Sequence, residues 1–587
     1  MNKHHSLKYR KDIDGLRAIA VLAVIFFHFG YFTNGYLGVD IFFVISGFLI
    51  TSIIYKSVLV RNFSIKTFYL KRIRRIFPLV FFTSATALVI GYFTMLPDDL
   101  ENLGASIVAT NFFANNILQL ITTGNYWFTV NDFKPLMHTW SLGIEEQFYI
   151  VYPFLFLFLK KKNILPILII LTFFSAFGFL LTENEYYQFY LMPYRFFELS
   201  IGGIGAIVCL NKKVSSHLKA ICLVLIIFLL CVDISIPKNI IVLVLISSTL
   251  IVLLESEAKN KLLHSVLENK IMIGLGKISF SLYMWHQIVL AFTRYIIKYD
   301  FKPIDYFFIF GITVVLSILS YNFIEQPFRN KEKVSNTQTL LITGISFLLL
   351  TGTSFYFYAT SGIIKDIPEL DITKNKTPLN YNVFNTKKNP HISYNARIYD
   401  YDKEFTSKTK IKVLVIGNSF ARDWANVLLE SNYASKIELS YIENSDNLIE
   451  HQSKFDSADY IFFSAIKMQN YKLLRKQLSI DSNKVWNVGL KNFGVTNGIF
   501  YNAKKDTAYY KQRTIMAKSY FEDHLALKKE WNERYIDLIA LVIDNKKTVP
   551  VFTPNHKYIS HDCKHFTKNG ALYFVELLKI NEGTIFK

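Results

Sequence analysis

Long apolar runs separated by short polar segments fill the first 360 residues of the chain. A run of about twenty apolar residues is long enough to cross a bilayer as a helix, and the sequence contains about eleven such windows. They lie near 13–33, 37–55, 76–96, 147–160, 163–182, 192–210, 217–233, 238–255, 275–297, 304–324 and 338–358. The pattern therefore predicts a polytopic α-helical membrane domain of about ten helices, residues 1–335, followed by one linking helix, residues 336–360.

The pattern changes after residue 360. A polar stretch without clear periodicity, residues 361–408, is predicted to be a linker. The strand-like run IKVLVIG then leads through NSF into the helical pattern ARDWANVLLESN, and the runs DYIFFSAI and KVWNVGL follow as further strand candidates. Because strands that alternate with helices form parallel sheets, residues 409–587 are predicted to be an α/β domain.

Basic residues are concentrated in alternate loops between the predicted spans. The positive-inside rule then places the N-terminus in the cytoplasm, and an odd number of spans leaves the residues after 360 outside. The net charge of +20 does not indicate nucleic-acid binding, because many of the basic residues lie in short loops beside apolar runs. The first apolar run lacks a small-residue cleavage site, so we interpret it as a retained transmembrane helix.

Ionisable residues inside the first span need a partner or a wet cavity, because a charge in hydrocarbon is costly. Arg17 and His28 are eleven residues apart, close to three helical turns, so both are predicted to face one cavity. The alternative is that Arg17 reaches the cytoplasmic interface and His28 only donates a hydrogen bond within the bundle. In the sixth span, Arg195 and Glu198 are spaced to form a structural ion pair.

Two further motifs carry candidate chemistry at the membrane boundary. In KTFYLKRIRRIFP, Arg72 and Arg75 share one helix face and suit the phosphates of coenzyme A, although a lipid-headgroup anchor explains the same charges. In FKPLMHTWSLGIEEQFYIVYP, His138 and Glu145 lie two turns apart and Glu146 follows. Such a group can move a proton or orient an acceptor hydroxyl, or its members can simply satisfy one another at a helix end.

The outer region contains the parts of a nucleophilic triad. Ser419 follows a predicted strand and precedes a predicted helix, while Asp562 and His565 are spaced Asp-x-x-His before the last helical run. Zinc binding is an alternative on ligand identity, but the spacing fits no common structural site. The residues concerned are His556, His561, Cys563 and His565. The four cysteines of the chain indicate neither a disulfide framework nor a zinc cluster.

The strings DGLRAIAVLAVIFFHF, HTWSLGIEEQFY and SYNFIEQPFR resemble the membrane-bound acyltransferase-3 family over about residues 10–330. The resemblance implies an enzyme that takes an acyl group, usually acetyl, from cytoplasmic acyl-CoA and delivers it to a carbohydrate hydroxyl outside. It also implies that Arg72 and Arg75 serve the acyl donor. Lys71 stands where many members have arginine, and we leave it out of the site because it lacks the guanidinium fork.

The outer motifs GNS and DCKH resemble the SGNH hydrolase family, whose fold is a three-layer α/β domain and whose first block is usually Gly-Asp-Ser. Asn418 replaces that aspartate, which is not the triad acid. The family's oxyanion donors correspond most closely to Gly489 and Asn492 in GLKNFG.

Together these features predict a membrane O-acetyltransferase of the bacterial inner membrane with an extracytoplasmic SGNH-type domain. Acetyl-CoA is the expected donor, with no permanently bound cofactor or metal, and the acceptor is a cell-envelope glycan or lipid-linked oligosaccharide, first lipopolysaccharide O-antigen and alternatively peptidoglycan. The candidate catalytic residues are His28, Glu145, Ser419, Asp562 and His565, and those for the coenzyme are Arg17, Arg72 and Arg75. Two alternatives remain open: a transporter of lipid-linked glycan, and an outer esterase that removes acetyl groups.

Overall fold

A helix lies at each of the predicted spans in the computed structural model, which describes residues 9–123, 128–209, 212–373, 390–443, 448–503 and 508–586. The helices as far as residue 360 are α1 (Lys11–His28), α2 (Gly38–Leu59), α3 (Ile65–Thr94), α4 (Pro97–Asn111), α5 (Asn115–Thr123), α6 (Trp140–Phe158), α7 (Lys161–Leu181), α8 (Glu185–Tyr190), α9 (Met192–Val208), α10 (Ser216–Cys231), α11 (Lys238–Leu253), α12 (Lys261–Leu267), α13 (Lys270–Lys277), α14 (Ser279–Ile296), α15 (Pro303–Ser320), α16 (Gln326–Arg329) and α17 (Asn336–Ala359). A short π-helical turn joins α15 to α16.

Among the described residues, five helices are by themselves long and apolar enough to cross a membrane. These segments are Gly35–Leu59, Ile65–Thr94, Lys161–Leu181, Pro303–Arg329 and Asn336–Ala359. The helices α10 and α11 are apolar but shorter. The chain is thus a multi-pass membrane protein, while the number of crossings and their orientation stay predictions.

The chain divides into two units. The first contains Met1–Phe93, Asn102–Arg294 and Lys298–Phe355, and the second contains Thr94–Glu101, Tyr295–Ile297 and Tyr356–Lys587. The first unit also holds a two-residue parallel pair formed by β1 (Lys213–Val214) and β2 (Glu255–Ser256).

Close approach of α2 and α9 organises the first unit. A Cβ atom added at Gly47 would lie 1.7 Å from the carbonyl oxygen of Leu199. Small residues let membrane helices pack at this distance, where van der Waals contact replaces the hydrophobic driving force. Arg195 on α9 pairs with Asp40 of α2 at 3.0 Å and with Glu198 at 3.1 Å, so the predicted ion pair is confirmed and also joins the two helices.

The second unit contains a five-stranded parallel sheet in the order β4-β3-β5-β6-β8. Its strands and those of a separate antiparallel pair, β7 with β9, are β3 (Ile411–Ile416), β4 (Ile437–Ile442), β5 (Tyr460–Ser464), β6 (Val485–Val488), β7 (Arg513–Ile515), β8 (Tyr535–Ile536) and β9 (Thr548–Pro550). The helices are α18 (Pro390–Ala396), α19 (Ser419–Leu429), α20 (Gln452–Ser457), α21 (Met468–Gln477), α22 (Gly498–Asn502), α23 (Lys518–Trp531) and α24 (Lys568–Leu577).

Alternate residues of β3 enter two different cores. Val413 and Val415 pack on one face of the sheet with residues of α19 and α24, whereas Leu414 and Ile416 pack on the other face with residues of α21 and α23. The strand is therefore buried on both sides, as its continuous apolar run predicts. The sheet with its two helical faces forms the predicted three layers, although the sequence pattern predicts neither of the edge strands, β4 and β8.

The prediction and the structure differ most in residues 361–408, which are predicted to be a linker. Ile363, Ile367 and Leu370 are buried in one apolar cluster with Val551 and Tyr558 of the second unit. Residues 390–401 form α18 and a 3-10 turn that pack on α19, and residues 374–389 lie outside the described residues. The three buried residues named first have a helix-like spacing of four and three residues, but Pro368 interrupts so short a run, and the sequence pattern therefore does not indicate this packing.

Candidate active site

Ser419 lies at the turn between β3 and α19. The strand ends at Ile416, Gly417 has a positive φ of 135°, and the side chain of Asn418 accepts a hydrogen bond from the Phe420 amide at 3.0 Å. Asn418 thus caps the helix, which begins at Ser419. Because chain order reverses beside β3 in the sheet, Ser419 lies at the switch point where open α/β sheets bind ligands.

His565 joins Ser419 to Asp562. Its Nε2 atom lies 2.6 Å from the Ser419 hydroxyl oxygen, and its Nδ1 atom lies 2.6 Å from a carboxylate oxygen of Asp562. The other Asp562 oxygen accepts the backbone amides of His565 at 2.8 Å and Lys564 at 3.0 Å. The carboxylate therefore orients the imidazole with Nε2 towards the hydroxyl, which is the arrangement that activates a serine nucleophile. The structure thus brings together the three residues that the sequence motifs selected.

The ionisation of the triad acid, Asp562, depends on the histidines around it. Burial alone would raise the pKa of Asp562, but His565, His561 and hydrogen bonds hold it well below its usual value. His561 donates from Nδ1 to Asp98 at 2.8 Å, and although burial opposes its charged form, Asp562 and Asp98 raise its pKa to about 9. The His391 ring stacks on His561 with centroids 5.2 Å apart, and burial together with that positive charge lowers the pKa of His391 to about 4.

The predicted oxyanion donors make other hydrogen bonds. The amide of Gly489 donates to the Ile536 carbonyl at 2.9 Å and continues the pairing of β6 with β8. The side-chain oxygen of Asn492 accepts amides at 2.8 and 3.1 Å, and its nitrogen donates to the Cys563 carbonyl at 3.3 Å. The Gly489 amide is thus used within the sheet, whereas the Asn492 amide has a second N–H besides this bond, and the oxyanion role of the two residues stays a prediction.

Of the four residues of the zinc alternative, the described part of the chain brings only His561 and His565 together. His561, Asp562 and His565 bring ligand atoms within 4.8 Å of one another, but ion pairs already engage them. Cys563 instead points its sulfur at the side-chain oxygen of Asn497, 3.4 Å away, and His556 stacks on a tyrosine.

A second candidate site is a cavity of about 80 Å³ within the first unit. Its lining includes Arg17, Arg72, Arg75 and Glu145. Ser46 donates to Glu145 at 2.8 Å. Three guanidinium groups and one carboxylate line the cavity, and although Asp14 lies 3.5 Å from Arg17, the positive charges outnumber the negative ones, which suits a phosphate-bearing ligand.

The residues that line this cavity lie in the part of the chain that matches a known family. A family profile described as an acyltransferase domain matches residues 10–322. The chain belongs to this acyltransferase family. The matched range contains Arg17, Arg72, Arg75 and Glu145 and ends before Ser419.

Two of the relatives are proteins of Staphylococcus aureus. A candidate O-acetyltransferase of strain MSSA476 is 30% identical over 358 residues, which cover 56% of this chain and 59% of the relative. A protein named O-acetyltransferase OatA, from strain NCTC 8325, is 29% identical over 362 residues, again 56% of this chain and 59% of the relative. The chain therefore spans less than two thirds of the length of these relatives. No solved structure matches it significantly.

In this acyltransferase His28 does not line the cavity that contains Arg17. Eleven residues of helix span about 16 Å, so a shared face does not bring the two side chains to one point. The His28 ring instead lies beside His286, with centroids 5.3 Å apart, and His286 lies 5.1 Å from His138. The expectation of a single cavity for both residues is thus corrected.

The sequence pattern of the acyltransferase gives no sign of Asp98 or His391 beside the triad. Asp98 belongs to the segment Thr94–Glu101 of the second unit, and His391 lies on α18 in the predicted linker. Neither segment carries a motif, and only long-range packing brings them to His561.

Proposed function

We propose that the protein is a membrane O-acetyltransferase that moves acetyl from cytoplasmic acetyl-CoA to a hydroxyl of a cell-envelope glycan. One observation carries the proposal. This chain of the acyltransferase family contains an arginine-lined cavity in its first unit and a Ser-His-Asp triad in its second. The names of the relatives, O-acetyltransferases, support acetyl as the acyl group.

In the first unit, Arg72 and Arg75 bind the phosphates of the coenzyme, and Arg17 lines the same cavity. Guanidinium groups bind phosphate oxygens in pairs and stay charged, so they hold the donor without using a metal ion. His28 acts on the thioester as a base or as a transient carrier of acetyl.

In the second unit, the Ser419 oxygen attacks the acetyl carbonyl while His565 takes the hydroxyl proton. The acetyl-serine then transfers its acetyl group to a glycan hydroxyl, whose proton passes to His565 and on to the serine oxygen as it leaves. The ionised Asp562 stabilises the imidazolium that forms in each step. Lipopolysaccharide O-antigen and peptidoglycan are the two acceptors that we propose to compare.

The decisive experiment compares Ser419→Ala with His28→Ala in cells and in membrane vesicles. Both variants should lose glycan acetylation, detected by mass spectrometry as the loss of one acetyl mass from the acceptor. Only Ser419→Ala should still consume acetyl-CoA in vesicles, because its membrane unit is intact. Ser457→Ala, on an exposed residue of α20, is the matched control and should behave as wild type.

Three outcomes would contradict the proposal. Full acetylation by Ser419→Ala would mean that the membrane unit transfers directly to the glycan. Increased acetylation in that variant would identify the second unit as an esterase, since the same triad hydrolyses an ester when water attacks the acyl-enzyme. A wild-type protein that shows no dependence on acetyl-CoA would favour the transporter.

A further inference from the structure

His286 lies within the first unit on α14 and is 1% exposed. Its Nδ1 atom lies 2.6 Å from the backbone carbonyl of Tyr283. Since a carbonyl only accepts hydrogen bonds, Nδ1 carries the proton, and the neutral ring has its lone pair on Nε2. The backbone therefore fixes the tautomer of His286.

The two ring nitrogens of His138 lie near this lone pair and have no hydrogen-bond partner in the described part of the chain. Among the described residues, Nε2 of His286 and both ring nitrogens of His138 are buried without a hydrogen bond. The backbone of Met284 is near enough to His138 to interact with it, but neither nitrogen meets hydrogen-bonding geometry. A buried polar group without a partner is costly, so three of them in one cluster indicate a group or proton that is present only during function.

His28 is the third member of this cluster. Its ring centroid lies 5.3 Å from that of His286, and the His286 centroid lies 5.1 Å from that of His138. Rings at these centroid separations can exchange a proton directly or through one bridging water. The cluster also adjoins the arginine-lined cavity, because Tyr283 lines that cavity and its ring lies 5.1 Å from His138.

We propose that His286 is the proton-transfer partner of His28 in the membrane step, its Nε2 lone pair taking the proton that His28 gives up. The inference rests on the proposed function and deepens it. Whether His28 acts as base or as carrier, one of its ring nitrogens must lose a proton. His286 acts through His28, so it is a positioning residue and does not itself touch the thioester.

The attacking group is a ring nitrogen of His28 when His28 carries the acetyl group, and the oxygen of an acceptor hydroxyl when His28 acts as base. It forms a bond to the acetyl carbon, the carbon–sulfur bond breaks, and the electron pair of that bond leaves with the sulfur as thiolate. The proton of the attacking group passes through His28 to Nε2 of His286. From there it returns past His138 and Tyr283 to the thiolate in the cavity, giving free coenzyme A, so no oxidant or further reactant is needed.

The test uses the purified full-length protein and measures release of coenzyme A from acetyl-CoA. His286→Asn retains a side-chain donor for the Tyr283 carbonyl but removes the Nε2 base. We expect kcat to fall about 100-fold, a typical loss for a missing proton-transfer group, with an unchanged KM for acetyl-CoA. His217→Asn, on an exposed histidine of α10, is the matched control and should keep both constants.

Each other result has a defined meaning. A wild-type kcat in His286→Asn would overturn the proton-transfer role. A raised KM, or lost binding of coenzyme A in a direct titration, would overturn it too, because the residue would then only support the fold. If the wild-type protein itself released no coenzyme A, the proposed function would fail, which is a separate result from a normal variant in an active protein.

Discussion

The Nε2 atom of His565 lies 2.6 Å from the hydroxyl oxygen of Ser419, although 146 residues separate them in the chain. Ser419 begins α19 directly after the central strand β3, whereas His565 precedes α24, and these two helices pack on the same face of the sheet. The common core therefore holds the nucleophile and the base at hydrogen-bonding distance.

Asp562→Asn should leave this geometry largely in place but remove the charge that orients and stabilises the His565 imidazolium. We expect hydrolysis of an activated ester, p-nitrophenyl acetate, by the full-length protein to fall by about 10³–10⁴-fold in kcat. Asp523→Asn, on an exposed residue of α23, should change nothing. Equal rates for Asp562→Asn and wild type would refute the triad.

Arg72→Lys and Arg75→Lys keep the positive charge but lose the guanidinium fork. If these residues bind phosphate in pairs of hydrogen bonds, each variant should raise the KM for acetyl-CoA about tenfold. Lys71→Arg is the control, because Lys71 is exposed and does not line the cavity. Unchanged KM values in both lysine variants would favour a simple lipid anchor.

His561 should make the stability of the protein depend on pH. Its pKa is raised from 6.5 to about 9 in the folded state, because Asp562 and Asp98 outweigh the effect of burial. The stability that it contributes is fully present below pH 6.5 and is lost as pH rises through about 9.

Thermal unfolding of the full chain checks this dependence at pH 6.5 and pH 9. Between these two pH values the unfolding temperature of the wild-type protein should fall more than that of His561→Gln, which has no titrating group at this position. An identical loss in the two proteins would show that the ion pair with Asp98 does not stabilise the fold.

Gly47→Ala should destabilise the first unit, because the added Cβ atom would lie 1.7 Å from the Leu199 carbonyl oxygen and force α2 away from α9. The cost of such overpacking is at least about 1–3 kcal/mol. Gly311→Ala on α15 is the matched control, since a Cβ atom there meets nothing within 4 Å. The yield of folded protein and its unfolding temperature in detergent measure the difference, and equal values would argue against the close helix packing.

The orientation can be tested with reporter fusions. A reporter fused after Lys333 should be cytoplasmic and one fused after residue 380 external, because α17, a candidate span, lies between them. The same compartment for both reporters would disprove the predicted topology and the external position of the triad.

The sequence by itself determined the features that depend on near neighbours. Apolar runs of sufficient length gave helices at every predicted span, and the strand IKVLVIG placed Ser419 at the start of a helix. The Asp-x-x-His spacing put Asp562 beside His565, because a tight turn sets the distance between residues three apart. The shared cavity of Arg72 and Arg75 likewise follows from their i, i+3 spacing on α3.

Only the tertiary structure decided which distant groups meet. Helical periodicity gives the direction of a side chain but not its depth along the bundle, so His28 joined His138 and His286 rather than Arg17. Asp98 and His391 reached His561 through packing of segments without any motif of their own. Gly489 and Asn492 fit a family pattern, yet their hydrogen bonds went to neighbouring backbone, because buried polar groups take the nearest partners that the fold supplies.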